Sequence, residues 1–460
     1  MSCDTEALRP LLVFRQEFYQ SVLGHRKDSA FELSEAVLCA AGPEPLVRLS
    51  LAPCFRRHWA SAPDALAEGS LDVATLRHRF VRALPPPPAG GRALWVIDAS
   101  TWPRPSAVTS PERTYGHRVA AGIPQDGVVP GWEYQWLVAV PEPSGSWVLP
   151  LDLARRGPDS PSPTALALRQ VHHVLEGYPA WAPRPLVVLD SGYDPVQLAT
   201  APERERVDFL VRLAKHRVFY RAPGPYQGRG APRKHGPVFK LKDPATQGEP
   251  DRQASTVDPD YGQVTVTAWQ GLHARQAPAA PFTVVRVQVA RLPRRAQPPA
   301  PLWLAWIGER LPADLLDLWR GYLRRFPVEH GFRFAKRSLG WTTIRPRAPE
   351  AADRWTWLIA AVFWQLWLAR ALIADQRLPW ERPLPAERLS PGRVRRAFPG
   401  LLVELGTPAQ APRPRGKSPG RQVGQRPGPR PRYPVHRRTP TRPRKAAKRA
   451  AGRQLRPHRP

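Results

Sequence analysis

Residues 93–101 read ALWVIDAST, and residues 187–194 read VVLDSGYD. In each, a run of apolar residues rich in Val, Ile and Leu closes on an aspartate, Asp98 in the first and Asp190 in the second. Runs this short, with no polar alternation, predict strands covered on both faces, the kind found in the middle of a sheet flanked by helices. Each acid then falls where a buried strand gives way to solvent, a place from which a carboxylate can reach a ligand. An aspartate there also serves as a turn or cap residue, so these two runs define the sheet before they define any chemistry.

The segments around them extend the sheet. Residues 134–140 and 147–153 predict strands antiparallel to the first, 164–175 a helix, and 209–213 a further strand leading into Lys215, His216 and Arg217. Three antiparallel strands, a helix and more strands is the order expected of an RNase H-like α/β sheet. From 217 to 306, Pro- and Gly-containing loops separate alternating segments such as 282–289, where Val285, Val287 and Val289 share a face. This predicts a β-rich insertion, ending in a strand at 302–307 that carries Trp303 and Trp306. The chain then returns to helix at 313–325, and Pro327 falls where a new helix can begin, at the position whose N–H has no helical partner to lose.

The domain organisation expected from these signals has six parts: a helical domain at 1–84, a Pro/Gly linker at 85–92, the α/β core at 93–216, the insertion at 217–306, the second part of the core with C-terminal helices at 307–407, and an Arg/Pro-rich tail at 408–460. The first of these carries Arg77, His78, Arg79 and Arg82 along one stretch, a basic helix of the kind that can enter a DNA groove. The tail contains 17 Lys and Arg, 12 Pro and no acid. Self-repulsion and proline keep such a segment from burying a core, so it is expected to be disordered and to meet phosphates without reading sequence.

Charge points to the partner. The net charge is +31 over 460 residues, and removing the tail's 17 charges still leaves +14. A polyanion, nucleic acid first, is the expected ligand, and the abundance of Arg suits a rigid fork of donors on phosphate. Three cysteines without a paired spacing exclude a disulfide framework or a Cys-based zinc site. Acids near the N-terminus and no signal-like apolar run predict a cytoplasmic, nucleoid-associated protein. Residues 355–374 are apolar over nearly the length of a bilayer span, but Gln365 and Arg370 interrupt them, and a core helix is expected rather than a membrane segment.

The decisive chemistry lies in residues 322–336, YLRRFPVEHGFRFAK, where Tyr322, Arg325, Glu329 and Lys336 follow one another at offsets of 3, 4 and 7. Glu329 and Lys336 would share one helical face two turns apart. Together with Asp98 and Asp190, the pattern resembles the DDE transposases of bacterial insertion sequences that carry the Tyr-x2-Arg-x3-Glu-x6-Lys signature. The resemblance covers roughly residues 90–375, and it implies Asp98, Asp190 and Glu329 as ligands of two Mg²⁺ ions, with Mn²⁺ as a substitute. It further implies Tyr322, Arg325 and Lys336 as phosphate grips, while Arg212 and Lys215, at the end of a strand, are candidates for the DNA channel. The implied activity is metal-dependent cleavage at transposon terminal inverted repeats and strand transfer into target DNA, by a homodimer in a synaptic complex.

Two alternatives accompany it. One is a transposase-derived DNA-binding protein without catalysis. The other is a phosphatase of the haloacid dehalogenase type, which wants a second Asp two residues after the first; Ser100 holds that place.

Overall fold

The computed structural model describes residues 5–87, 91–117, 127–226, 228, 230–293, 298–414, 420, 422, 424–426 and 428–437. Among these, helices come first: α1 (Thr5–Glu17), prolonged by a π-helical turn at Phe18–Val22, α2 (Lys27–Cys39), α3 (Leu46–Leu49), α4 (Ser61–Ala67) and α5 (Val73–Arg82). Then come β1 (Leu94–Pro103), β2 (Thr114–His117), β3 (Val128–Ala139), β4 (Leu149–Arg156), α6 (Pro163–Gly177), β5 (Leu186–Leu189), α7 (Pro195–Thr200) and β6 (Asp208–Arg212). Strands β7 (Val218–Tyr220), β8 (Val238–Lys240), β9 (Arg252–Asp258), β10 (Gly262–Leu272), β11 (Phe282–Val289) and β12 (Leu302–Ile307) lead to α8 (Leu316–Leu323), α9 (Pro327–Arg337), α10 (Pro349–Ala369) and α11 (Pro391–Leu405).

A large mixed sheet with flanking helices results, its strands ordered β2-β3-β1-β5-β6-β12-β11-β10-β9, with β4 also paired to β3. The apolar runs occupy its centre: Trp95, Val96, Ile97 and all of β5 are buried. Each such side chain removed from water contributes about 1.5–3 kcal/mol, which is why strands without polar alternation settle between two helical layers. By contrast β9 alternates half-buried and exposed positions along its length, as an edge strand with one wet face does.

β1 does not stop at Asp98. It continues to Pro103, because β3 pairs with it all the way from Trp95–Ala139 to Pro103–Gly131. Its parallel pairing with β5, however, ends at Ile97–Leu189. From Asp98 onward β1 is no longer paired with β5, and the two aspartates stand at the carboxyl ends of the parallel strands, where ligands bind in open α/β sheets. Strands β9–β12 form no separate sheet: β12 pairs antiparallel with β6 and extends the central one. Trp303 and Trp306 are buried in this extension.

The N-terminal helices share their core with α10. Phe80 of α5 stacks on Trp364 at 5.5 Å, and α1, α2 and α4 all pack on the same helix. The N-terminal helices pack on one another through Phe14, Phe18, Phe31 and Phe80 and at the same time on α10, so their core runs across the expected division near residue 84. Nor is the α5 arginine stretch free for a groove: Arg77 pairs with buried Asp152 at 3.0 Å and Arg79 with Glu17 at 2.8 Å. α10 is long and apolar enough to cross a membrane by length and composition, yet 78% of its most apolar window is buried inside the protein. Its indoles are satisfied there, Trp364 donating to Pro150 O at 2.7 Å and Trp355 to Trp341 O at 2.9 Å.

Part of the basic C-terminal segment is ordered, against expectation. Ala409 is buried, and the Arg56 guanidinium donates to its carbonyl at 2.8 Å. Further on, Tyr433 N donates to Val108 O and His436 N to Arg113 O, both at 2.8 Å, and His436 bridges in parallel to Thr114 of β2. An unpaired sheet edge supplies the backbone partners that a charged, proline-rich segment cannot supply itself. Residues 88–90 of the expected linker and 438–460 of the expected tail lie outside the described residues.

Candidate active site

The parallel register puts three sequence candidates in one row. Ile97, Leu189 and Val211 are aligned across β1, β5 and β6, and Asp98, Asp190 and Arg212 each come one residue later. Both aspartates use Oδ1 locally: Asp98 accepts from Ala99 N at 2.8 Å, and Asp190 from Gly192 N at 2.8 Å in a turn of the kind short acidic side chains favour. Their Oδ2 atoms turn toward one cation, the Arg325 guanidinium, whose Nη2 lies 3.0 Å from Asp98 and 3.8 Å from Asp190.

A break in the helix delivers Arg325. α8 ends at Leu323, and Arg325 N donates to Tyr322 O at 3.1 Å in a tight turn before Pro327 opens α9. Tyr322 and Arg325 therefore do not continue the α9 face that carries Glu329 and Lys336. Pro327, without an N–H, cannot prolong the α8 ladder, so a tight turn separates α8 from α9 and holds Arg325 beside the two aspartates. Glu329 sits exposed in the first turn of α9 and Lys336 in its last, a distribution that suits the helix dipole.

The remaining candidates divide. Tyr322 is buried, and its hydroxyl lies in the field of Arg325, Arg212 and Asp190. Lys336 donates to Thr101 O at 3.0 Å and lies over the Trp341 ring at 5.6 Å, which ties α9 to β1. Lys215 is exposed beyond the end of β6. Tyr193 and Arg156 were not among the sequence candidates: Arg156 donates to the buried Tyr193 hydroxyl at 3.2 Å, and Tyr193 lies within the field of Asp98 and Asp190. Tyr193 stands three residues after Asp190, but only the pairing of β3 with β4 brings Arg156 to it.

Burial, the largest influence, raises the Asp98 pKa; Arg325 opposes this and Asp190 reinforces it. Desolvation works to lower the pKa of Arg325, but Asp98, Tyr322, Asp190 and Glu329 together hold it above its ordinary value. Tyr322 is pushed up by desolvation against the pull of Arg325 and Arg212. The pocket is thus one in which a buried carboxylate needs a cation close by.

Two carboxylates whose Oδ2 atoms converge on one positive charge fit a hard divalent cation, which takes oxygen ligands. The expected cluster of three acids is not formed: among the described residues no group of three or more His, Cys, Asp and Glu is placed to hold a metal ion. Glu329 is exposed in the first turn of α9, yet near enough for its charge to help hold the Arg325 pKa up.

A family model described as DDE superfamily endonuclease matches residues 17–275, more than half of the chain. That span includes Asp98 and Asp190 and ends before Glu329. No curated protein matches the sequence. Among solved structures the chain is similar to piggyBac transposase in its synaptic complex with hairpin DNA, at 12% identity and a TM-score of 0.41, over 87% of this chain and 77% of that one.

Proposed function

This chain belongs to the DDE superfamily endonucleases, and we propose that it is a DNA transposase of the insertion-sequence type marked by Tyr322, Arg325, Glu329 and Lys336, built on an RNase H-like core. The observation that carries this reading is the pair of aspartates at adjacent strand ends with both Oδ2 atoms on one cation. In this reading Asp98 and Asp190 hold Mg²⁺, or Mn²⁺ in its place, and Glu329 joins them from α9 when two ions and DNA are bound. Bound divalent ions supply an activated oxygen nucleophile and stabilise the departing oxygen.

The reaction is hydrolysis of a phosphodiester at a terminal inverted repeat, which frees a 3′-OH. That hydroxyl then attacks a target phosphodiester, one P–O bond forming as another breaks. The protein's residues orient the strand for both steps. Arg325, Arg212 and Lys215 face the phosphates, Tyr322 packs buried beside these cations, and Lys336 positions α9 through Thr101 rather than gripping DNA. The partners proposed are double-stranded transposon ends and target DNA, held by a homodimer in the cytoplasm. Positive charge makes the first encounter sequence-independent and salt-sensitive.

The test is Mg²⁺-dependent cleavage and strand transfer on the element's own ends with wild type, Asp190→Ala and Glu329→Ala. Both variants should lose activity by about 10³-fold or more, the scale of removing charge stabilisation from a transition state. A second reading, a DNA-binding protein without catalysis, is favoured by the exposure of Glu329. Equal activity in all three proteins would sink the proposed site; DNA binding with no cleavage by any of them would favour the second reading.

A further inference from the structure

We infer that Arg325 is the counter-ion of the aspartate pair in the metal-free protein and that a divalent cation displaces it, so that loading the site releases this guanidinium toward a DNA phosphate. The inference rests on the metal-dependent reading above and adds an order of events to it. Each aspartate commits Oδ1 to a backbone N–H, and the Oδ2 atoms left over are the ones that face Arg325 Nη2. A cation bound between the aspartates and the guanidinium therefore compete for the same oxygens.

Arg325 is held in a way that permits exchange. Its contact with Asp190 is long, at 3.8 Å, and its Nε is buried with no hydrogen-bond partner. An arginine whose fork is only partly satisfied gains hydrogen bonds by moving to a phosphate, which accepts from two of its donors at once. It also lies in the turn between α8 and α9, outside both helices, so its side chain can swing without breaking either one. Arg212, which stands one residue past the same register row as the two aspartates, adds positive charge at the same strand ends. Loading the site and gripping DNA then become one event, since the cation that neutralises the aspartates frees the residue that holds the strand.

The experiment uses the full chain without DNA: wild type, R325Q and R325K, with Mn²⁺ binding read by electron paramagnetic resonance and melting read in EDTA and in Mn²⁺. Binding of Mn²⁺ should be about tenfold tighter in R325Q than in wild type, the scale of removing a charge-assisted competitor, with R325K between them. In EDTA the melting temperature of R325Q should fall, and Mn²⁺ should restore it by more than wild type gains. Equal or weaker Mn²⁺ binding in a cooperatively melting R325Q overturns the exchange and leaves the metal-dependent reading standing. No Mn²⁺ binding by any of the three overturns both. Should R325Q not fold, R325K decides: binding no tighter than wild type overturns the exchange.

Discussion

Arg15 and Arg325 both neutralise carboxylates inside the fold, and they are held in opposite ways. Arg15 is 2% exposed and meets Glu35, the Gln365 side chain at 2.8 Å and Gly406 O at 2.8 Å, joining α1, α2, α10 and the chain after α11. Arg325 is 14% exposed, is shared between two acids and keeps an unpartnered Nε. The first site is closed by partners on every side, as a buried charge must be if it is not to destabilise the fold. The second keeps an unpartnered nitrogen beside two acids.

Substitution should separate the two. Arg15→Ala leaves Glu35 buried and unpaired, so urea denaturation should show a loss of about 3–5 kcal/mol. Arg325→Gln in EDTA should lose less, about 1–2 kcal/mol, because its acids are partly solvated. Equal losses would erase the distinction.

Acidity offers a finer probe. Burial raises the Glu35 pKa even though Arg15 opposes it. A carboxyl raised on folding contributes stability that is full below its unfolded value and is lost as pH rises through its folded value. Glu35→Gln stays neutral throughout, so the stability of wild type relative to this variant should decrease as pH rises from the ordinary carboxylate range upward. Melting curves across that range would show it, and a difference that is flat or grows with pH would refute it. The smallest effect belongs beside the other arginine. Tyr322→Phe removes a buried hydroxyl that lies in the field of Arg325 and Arg212 and should lower stability by about 0.5–1.5 kcal/mol, while cleavage falls further than stability alone accounts for.

Much of the sheet was legible because its signal is local. The runs ending at Asp98 and Asp190 announced buried strands, and β1 and β5 are those strands. Pro327 announced a helix start and provides one. What could not be read was pairing. That β1 outlasts β5 depends on β3, and that Arg212 aligns with the two acids depends on the β5–β6 register. Helix 313–325 was overextended because nothing local marks Leu323 as its end, and the N-terminal helices looked independent because their partner α10 lies more than 250 residues later. The ordered contacts of Ala409, Tyr433 and His436 were hidden for a related reason, since composition argues against a core but is silent about a free strand edge.

By itself, then, the sequence determined which segments are buried strands, which acids end them, that a proline breaks the helix between Arg325 and Glu329, and that the chain carries a polyanion's complement of positive charge. These follow from short-range rules of burial, backbone geometry and charge. The tertiary structure alone decided that Asp98 and Asp190 share one cation, that this cation is Arg325, and that Glu329 stays exposed at the start of α9. Such facts depend on the relative placement of elements far apart in sequence, where the balance between burying a charge and pairing it is struck between surfaces that no local pattern brings together.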